Sequence, residues 1–239
     1  MDYQAVFKRY EIKYLLTMEQ KKRLMEVTEP YMALDKYGRT TIRNVYFDTD
    51  NYRLIRHSIE KPAYKEKLRI RSYSQADSHS PVFVELKKKY DGVVYKRRLS
   101  MQEKQAMDWL CGKGGSMEAS QIASEIDYFL HYYQTLRPAV FLSYEREAFY
   151  CRQGGDFRMT FDDCILARRE EISLESGVWG TPILEEGKVL MEVKTSGGIP
   201  LWLTRFLTEE RIFKTSFSQY GTAYETLIFP KLKGVNIYA

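Results

Sequence analysis

The sequence predicts an α+β fold in which an antiparallel β-sheet carries helices on its apolar side. Three observations predict it. Short segments of alternating polar and apolar residues dominate the chain, the period of a half-buried strand. Aromatic residues make up 14% of the 239 residues, 19 of them Tyr, a composition that favours strands. The strand-like segments are interrupted by a few stretches with helix-start signatures. No linker-like tract, low-complexity region or repeat divides the chain, so residues 1–239 are expected to form one domain around one sizeable core.

In chain order, residues 6–16 alternate as a strand. Thr17, with Gln20 three residues on, forms a capping box that opens a helix to about Tyr31. Residues 41–48, 63–73, 82–90 and 93–99 read as strands, and Asp91-Gly92 joins the last two as a hairpin. Ser100 with Glu103 reads as a second capping box for a helix to about Cys111, and a further helix covers roughly 118–136, before Pro138. The Gly112–Gly115 stretch follows a helix with no preceding strand, so it reads as an interhelical loop and not as a phosphate cradle. Strands return at 139–150, 157–162 and 188–195, with a turn at Gln153–Asp156 between the first two. From Pro200 short helical segments alternate with loops.

The net charge of +5 is unevenly spread. Between Arg53 and Arg98 there are 13 Lys and Arg against 5 Asp and Glu, a net of +8, and the remainder carries −3. That distribution points to an anionic partner. Cys111, Cys151 and Cys164 lack metal-ligand spacing, and Cys164 beside Asp162 and Asp163 marks no site. The three histidines are far apart, nothing marks a nucleophilic triad, and no GxxxxGK[ST] or GxGxxG motif occurs. No uncharged apolar run approaches the ~18 residues that span a bilayer, and the N-terminus lacks a signal-peptide layout. A cytoplasmic protein with no transmembrane segment is expected.

Successive strand residues face opposite sides. Arg9, Glu11 and Lys13 share a face, as do Lys67, Arg69 and Arg71, then Glu85 and Lys87, Lys96 and Arg98, and Glu192 and Lys194. Lys88, Lys89 and Arg97 are read as lying off this register, on the surface. One reading is an open sheet with a solvated face. The other places helices over the apolar faces, which turns the charged faces inward and closes the sheet into a barrel. Such a lumen requires compensation of its charge, which a polyanion with a divalent metal supplies.

Six segments, in order, resemble one family. Lys8-Arg9-Tyr10-Glu11-Ile12-Lys13-Tyr14 resembles the N-terminal signature of the VTC domain, the catalytic domain of polyphosphate polymerases and a branch of the triphosphate tunnel metalloenzymes with a CYTH-like fold. Val45-Tyr46-Phe47-Asp48-Thr49, Leu68-Arg69-Ile70-Arg71, Val84-Glu85-Leu86-Lys87, Met191-Glu192-Val193-Lys194 and Phe217-Ser218-Gln219-Tyr220 follow where that family has its counterparts. The resemblance implies an eight-stranded antiparallel β-barrel, a triphosphate tunnel with helices packed outside. It implies basic roles for Lys13, Arg69, Arg71, Lys87, Arg146 and Arg158 at the reaction, and phosphate contacts from Arg9, Lys96, Lys194, Lys214 and Ser218. Glu192 matches the family's metal-binding glutamate, and Glu11 is the second acidic candidate. Arg9 in place of a first glutamate favours the polymerase branch over hydrolytic relatives. Gln219 stands where the family has a phosphate-binding lysine, and Lys214 is the nearest substitute.

Arg supplies planar bidentate contacts to phosphate and Lys a point charge. Mg²⁺ or Mn²⁺ needs only one or two carboxylates beside phosphate oxygens. The expected activity is transfer of the ATP γ-phosphate to a growing polyphosphate chain, with Mn²⁺ or Mg²⁺. The alternatives are a metal-dependent tripolyphosphatase or nucleoside triphosphatase, or a non-catalytic polyphosphate-binding module. ATP, triphosphate or polyphosphate are the expected ligands, and export would need a separate membrane protein. Nucleic acid is not expected, because the tyrosines of the first strand alternate away from its basic face.

Overall fold

The computed structural model describes residues 6–114 and 119–235, with the side chains of 6–9 and 233–235 outside that description. The elements in order are β1 (Val6–Thr17), α1 (Met18–Thr28), β2 (Met32–Leu34), β3 (Thr40–Asp48), α2 (Arg53–Ile59), β4 (Tyr64–Ser72), β5 (Pro81–Tyr90) and β6 (Val93–Gln102). There follow α3 (Glu103–Leu110), α4 (Gln121–Tyr133), β7 (Arg137–Cys151), β8 (Arg158–Arg168), β9 (Thr181–Pro182), β10 (Lys188–Thr195), α5 (Leu201–Glu209) and β11 (Lys214–Thr215). The chain ends in α6 (Gln219–Ala223), a π-helical turn (Tyr224–Ile228) and α7 (Phe229–Val235).

Eight strands close on themselves. β7, β3, β4, β5, β6, β1, β10 and β8 pair in that order, every pair is antiparallel, and β7–β8 pairing completes the ring. The open-sheet alternative is thereby excluded, and the expected eight-stranded antiparallel barrel is present. The short β2, β9 and β11 add to β7, β8 and β1 from outside the ring.

Local chemistry explains most elements. Thr17 accepts from the Gln20 amide and the Gln20 side chain accepts from the Thr17 amide, which is the capping box that starts α1. Asp91 and Gly92 both take positive φ, 43° and 82°, as a two-residue hairpin turn of the favoured hand requires. The second capping box is displaced from its expected place. Ser100 remains in β6, and Gln102 with Gln105 caps α3. The following helix is shorter than expected, capped by Ser120 and ending at Tyr133, with Pro138 already inside β7. The loop after α3 joins two helices as expected, although 115–118 lie outside the described residues. α2 escapes periodicity because it has only 7 residues. β8 runs on to Arg168 through a bulge, with one extra residue between Asp163 and Leu166 and Cys164 at φ 47°.

Helices cover the outward apolar faces at two places. Leu68, Ile70, Val84 and Leu86 meet Trp109 of α3 and Ile126 and Phe129 of α4. Leu16, Phe161, Met191 and Val193 meet Leu24 of α1 and Leu203 and Phe206 of α5. A third core departs from the simple in–out pattern. Ile42, Tyr46, Leu142 and Tyr144 lie on the inner face with Arg69 and Arg71, and pack against Tyr220, Ala223 and Tyr224 of the C-terminal helical run. That run fills one part of the lumen with apolar side chains and leaves the charged part open. No helix among the described residues is long and apolar enough to cross a membrane.

Candidate functional site

The open part of the lumen is a cavity of about 1040 Å³ whose wall carries twelve Lys and Arg against five Asp and Glu. Strand register places these side chains, because residues opposite one another in an antiparallel pair share a face. On β4, β5 and β6 the inward residues are Lys65, Lys67, Arg69 and Arg71, then Glu85, Lys87 and Lys89, then Lys96 and Arg98. On β1 and β10, Glu11 lies opposite Lys194 and Lys13 opposite Glu192. On β7 and β8, Arg146 lies opposite Asp162.

Glu85 is the hub of the first wall. Its carboxylate is fully buried and accepts from Arg69 Nε and Nη2 at 2.9 and 2.7 Å and from Arg98 Nε at 2.6 Å. Lys96 Nζ lies 2.7 Å away and Arg71 Nε 4.0 Å. Burial opposes the charge, but Arg71, Arg69 and Lys96 together hold this carboxyl well below the usual range. The hydroxyls of Tyr46 and Tyr144 accept from Arg69 and Arg71 at 2.7 and 2.8 Å, and Asn44 Oδ1 accepts from Arg71 at 3.0 Å. Five hydrogen bonds to four groups thus fix two guanidiniums that line the lumen. Burial pushes Lys96 down to about 7 despite Glu85, because Arg71 and Arg69 add to the desolvation.

The second wall holds the two acidic candidates. Glu192 lies 2.9 Å from Lys194 and 3.6 Å from Lys13. Burial would raise its pKa, but Lys194, Lys13, Lys87 and Arg146 outweigh it and keep the carboxylate ionised. Glu11 pairs with Lys87 on the other side of β6, and burial is again outweighed, chiefly by Lys87. Asp162, left without a role by the sequence, binds Arg146 through two bonds of 2.6 and 2.7 Å and accepts from Gln219 at 3.0 Å. Gln219 therefore positions the carboxylate that orients Arg146. Ser218 caps α6 through the Gly221 amide and accepts from Lys67 Nζ at 2.9 Å, while Lys13 donates to the Phe217 carbonyl at 3.1 Å. Asp48, buried, accepts from the amides of Leu54 and Ile55 and from the Tyr220 hydroxyl, so it starts α2 and fastens α6.

Lys13, Arg69, Arg71, Lys87, Arg146, Lys96, Lys194, Lys214, Ser218, Glu192 and Glu11 all line the cavity. Arg158 does not. It lies opposite Lys194 on the inward register but near the start of β8, exposed and outside the cavity wall. The backbone of Arg9 pairs with Val94, and its side chain lies outside the described residues. Lys89 corrects a surface assignment. It is two residues from Lys87, shares its face and lines the cavity, whereas Lys88 and Arg97 do face outward and pair with Glu125 of α4. Lys65 and Lys67 were legible by the same alternation, while Asp162 was hidden by the bulge that follows it.

Among the described residues no cluster of three or more metal-ligating side chains occurs. Two carboxylates, Glu11 and Glu192, facing a cavity rich in Lys and Arg fit a hard divalent ion that takes its remaining oxygens from water or a bound anion.

Solved structures share this architecture. A candidate adenylate cyclase of Bacillus halodurans is 16% identical, with 90% of this chain and 96% of that chain covered and a TM-score of 0.56. A candidate adenylyl cyclase of Hippeastrum, which reveals a dominant triphosphatase activity, is 17% identical, with 91% and 95% covered and a TM-score of 0.54. At this identity the likeness concerns the fold. No match was found among curated proteins. The profile of the VTC domain matches residues 8–228, through all eight strands of the ring, and the chain belongs to the VTC domain family.

Proposed function

We propose that the protein is a polyphosphate polymerase, transferring the γ-phosphate of ATP to the end of a polyphosphate chain inside the tunnel. The observation that carries this reading is the cavity lined by twelve basic side chains against five acidic ones, of which Glu11, Asp162 and Glu192 are paired with lumen cations. Phosphoryl transfer needs mainly positioning and charge neutralisation. Arg69, Arg71 and Arg146 are pre-oriented by Glu85, Asn44, Tyr46, Tyr144 and Asp162, so they bind phosphate oxygens without reorganising. Lys13, Lys87, Lys96 and Lys194 supply mobile charge around them, and Lys214 and Ser218 approach from the segment preceding α6. Arg158, at the start of β8, and Arg9 belong to the same proposal as further phosphate contacts.

Glu192 and Glu11 would hold Mn²⁺ or Mg²⁺. When bound there, such an ion would supply Lewis-acid charge neutralisation to phosphate oxygens. Lys13 and Lys194 flank Glu192 and keep it ionised for this task. A cytoplasmic location, with access to ATP, and export of product by a separate membrane protein complete the proposal.

Hydrolysis is the second reading, favoured by the triphosphatase activity reported for the Hippeastrum protein. The same cation set serves a water acceptor. Incubation with ATP and Mn²⁺, followed by a polyphosphate-staining gel, separates the readings. A long-chain smear is expected. Free phosphate without polymer refutes polymerisation and favours the hydrolase, and binding without turnover leaves a binding module.

A further inference from the structure

The wall formed by β4 and β5 sets like charges opposite one another twice in succession. Lys65 is paired with Lys89 and Lys67 with Lys87. Directly opposed like charges destabilise a sheet. Lys87 is balanced by Glu11, but Lys65, Lys67 and Lys89 make no ion pair among the described residues. The bonds of Lys65 to the Ser58 carbonyl, at 3.1 Å, and of Lys67 to the Ser218 hydroxyl, at 2.9 Å, satisfy donors without offsetting charge. Lys61, held at φ 56°, lines the same end of the cavity. Lys89, Lys61 and Lys87 all act electrostatically on Lys65, adding to its burial and depressing its pKa, so the groups form one cluster. Asp91 and Glu225 also line the cavity, and among the described residues neither makes an ion pair with a lysine of the cluster.

The cluster lies apart from the buried arginines. Lys65 and Arg69 are four residues apart on one strand, about 13 Å at a rise of about 3.3 Å per residue. A triphosphate gripped by Arg69, Arg71 and Arg146 does not extend over that distance. A longer linear phosphate does.

We propose that Lys61, Lys65 and Lys89 form a second anion subsite at the tunnel mouth, which holds phosphates beyond the third and makes the protein discriminate condensed phosphate by length. It rests on the reading of the tunnel as a condensed-phosphate site. The Lys65–Lys89 pair persists because a bound chain, not a protein carboxylate, is its counter-ion.

The test is binding by calorimetry, without metal or turnover, of tripolyphosphate and of a polyphosphate several tens of phosphates long. The wild-type chain and the double variant Lys65→Ala/Lys89→Ala are compared with the surface variant Lys36→Ala/Lys104→Ala, which removes the same net charge elsewhere. The mouth variant is expected to lose about tenfold or more for the long chain and less than about threefold for tripolyphosphate. Its ligand-free melting temperature should be unchanged or higher, since repulsion is removed. An equal loss for both ligands, no loss, or the same loss in the surface variant overturns the subsite. So does an equal loss for oligothymidylate, which would mark a general polyanion surface. Length-dependent loss in a protein that makes no polymer from ATP keeps the subsite and refutes the polymerase. Polymer formation with no length-dependent loss does the reverse.

Discussion

Replacing Glu85 with Gln should uncover how the tunnel tolerates its own charge. The carboxylate is completely buried and contacts Arg69, Lys96 and Arg98 directly, with Arg71 at 4.0 Å. Glutamine keeps the volume but removes the charge and turns an NH₂ toward cations. Deleting one partner of a buried ion pair costs about 3–5 kcal/mol, because the other charge remains uncompensated. Here four cations share one partner, so the upper part of that range is expected. At about 2–4 °C per kcal/mol for a chain of this size, the melting temperature should fall by roughly 8–20 °C. Differential scanning calorimetry with and without tripolyphosphate is the assay. The anion supplies the missing counter-charge, so its stabilising shift should be larger in the variant than in the wild type. A variant that folds only with tripolyphosphate present satisfies the same expectation. A fall below about 2 °C, or a ligand shift no larger than in the wild type, would refute the assignment of Glu85 as the counter-ion of the arginine cluster.

Glu192→Gln should abolish metal-dependent turnover while leaving tripolyphosphate affinity within a few-fold of the wild type, and unchanged turnover would remove Glu192 from the metal site. Lys96, pushed down to about 7, is partly neutral in the ligand-free tunnel at neutral pH. Its folded pKa lies below its unfolded one, so protonation penalises the fold below pH 7 and that penalty is relieved as pH rises from about 7 towards the ordinary lysine value. Anions favour the charged form, so binding at pH 7.5 should take up protons and weaken as pH rises. Calorimetry in buffers of different ionisation enthalpy reads this directly, and the absence of proton uptake would contradict it. Tyr220→Phe removes the 2.9 Å bond to buried Asp48 and should cost about 1–3 kcal/mol in a urea melt, with the C-terminal helix exchanging its amides faster. A loss under about 0.5 kcal/mol would show that α6 is held by apolar packing alone.

Much of this protein is local and was therefore legible in the sequence. Alternation in Tyr10–Tyr14, Lys67–Arg71 and Met191–Lys194 determined which side chains share a face, because the strand period is two wherever the strand ends up. Capping at Thr17 and the turn at Asp91-Gly92 depend on residues within three positions of one another. Of the cations grouped by alternation, Arg69, Arg71, Lys87, Lys96 and Lys194 line the cavity, and the same rule, applied one step further, reaches Lys65 and Lys89. What alternation leaves open is which face is inside. Closure settled that, through β7–β8 pairing that no local signal announces. Strand order brings Glu11 of β1 to Lys87 of β5, on either side of β6, and packing of α6 brings Gln219 to Asp162; these partners are 76 and 57 residues apart. Only the packed C-terminal run decides that Ile42, Leu142 and Tyr144, inward by register, form a dry core instead of a wet lumen. The sequence by itself determined which residues carry charge on common faces. The tertiary structure decided which of those charges find a partner within the protein and which do not, because electrostatic pairing depends on distance in space and not along the chain.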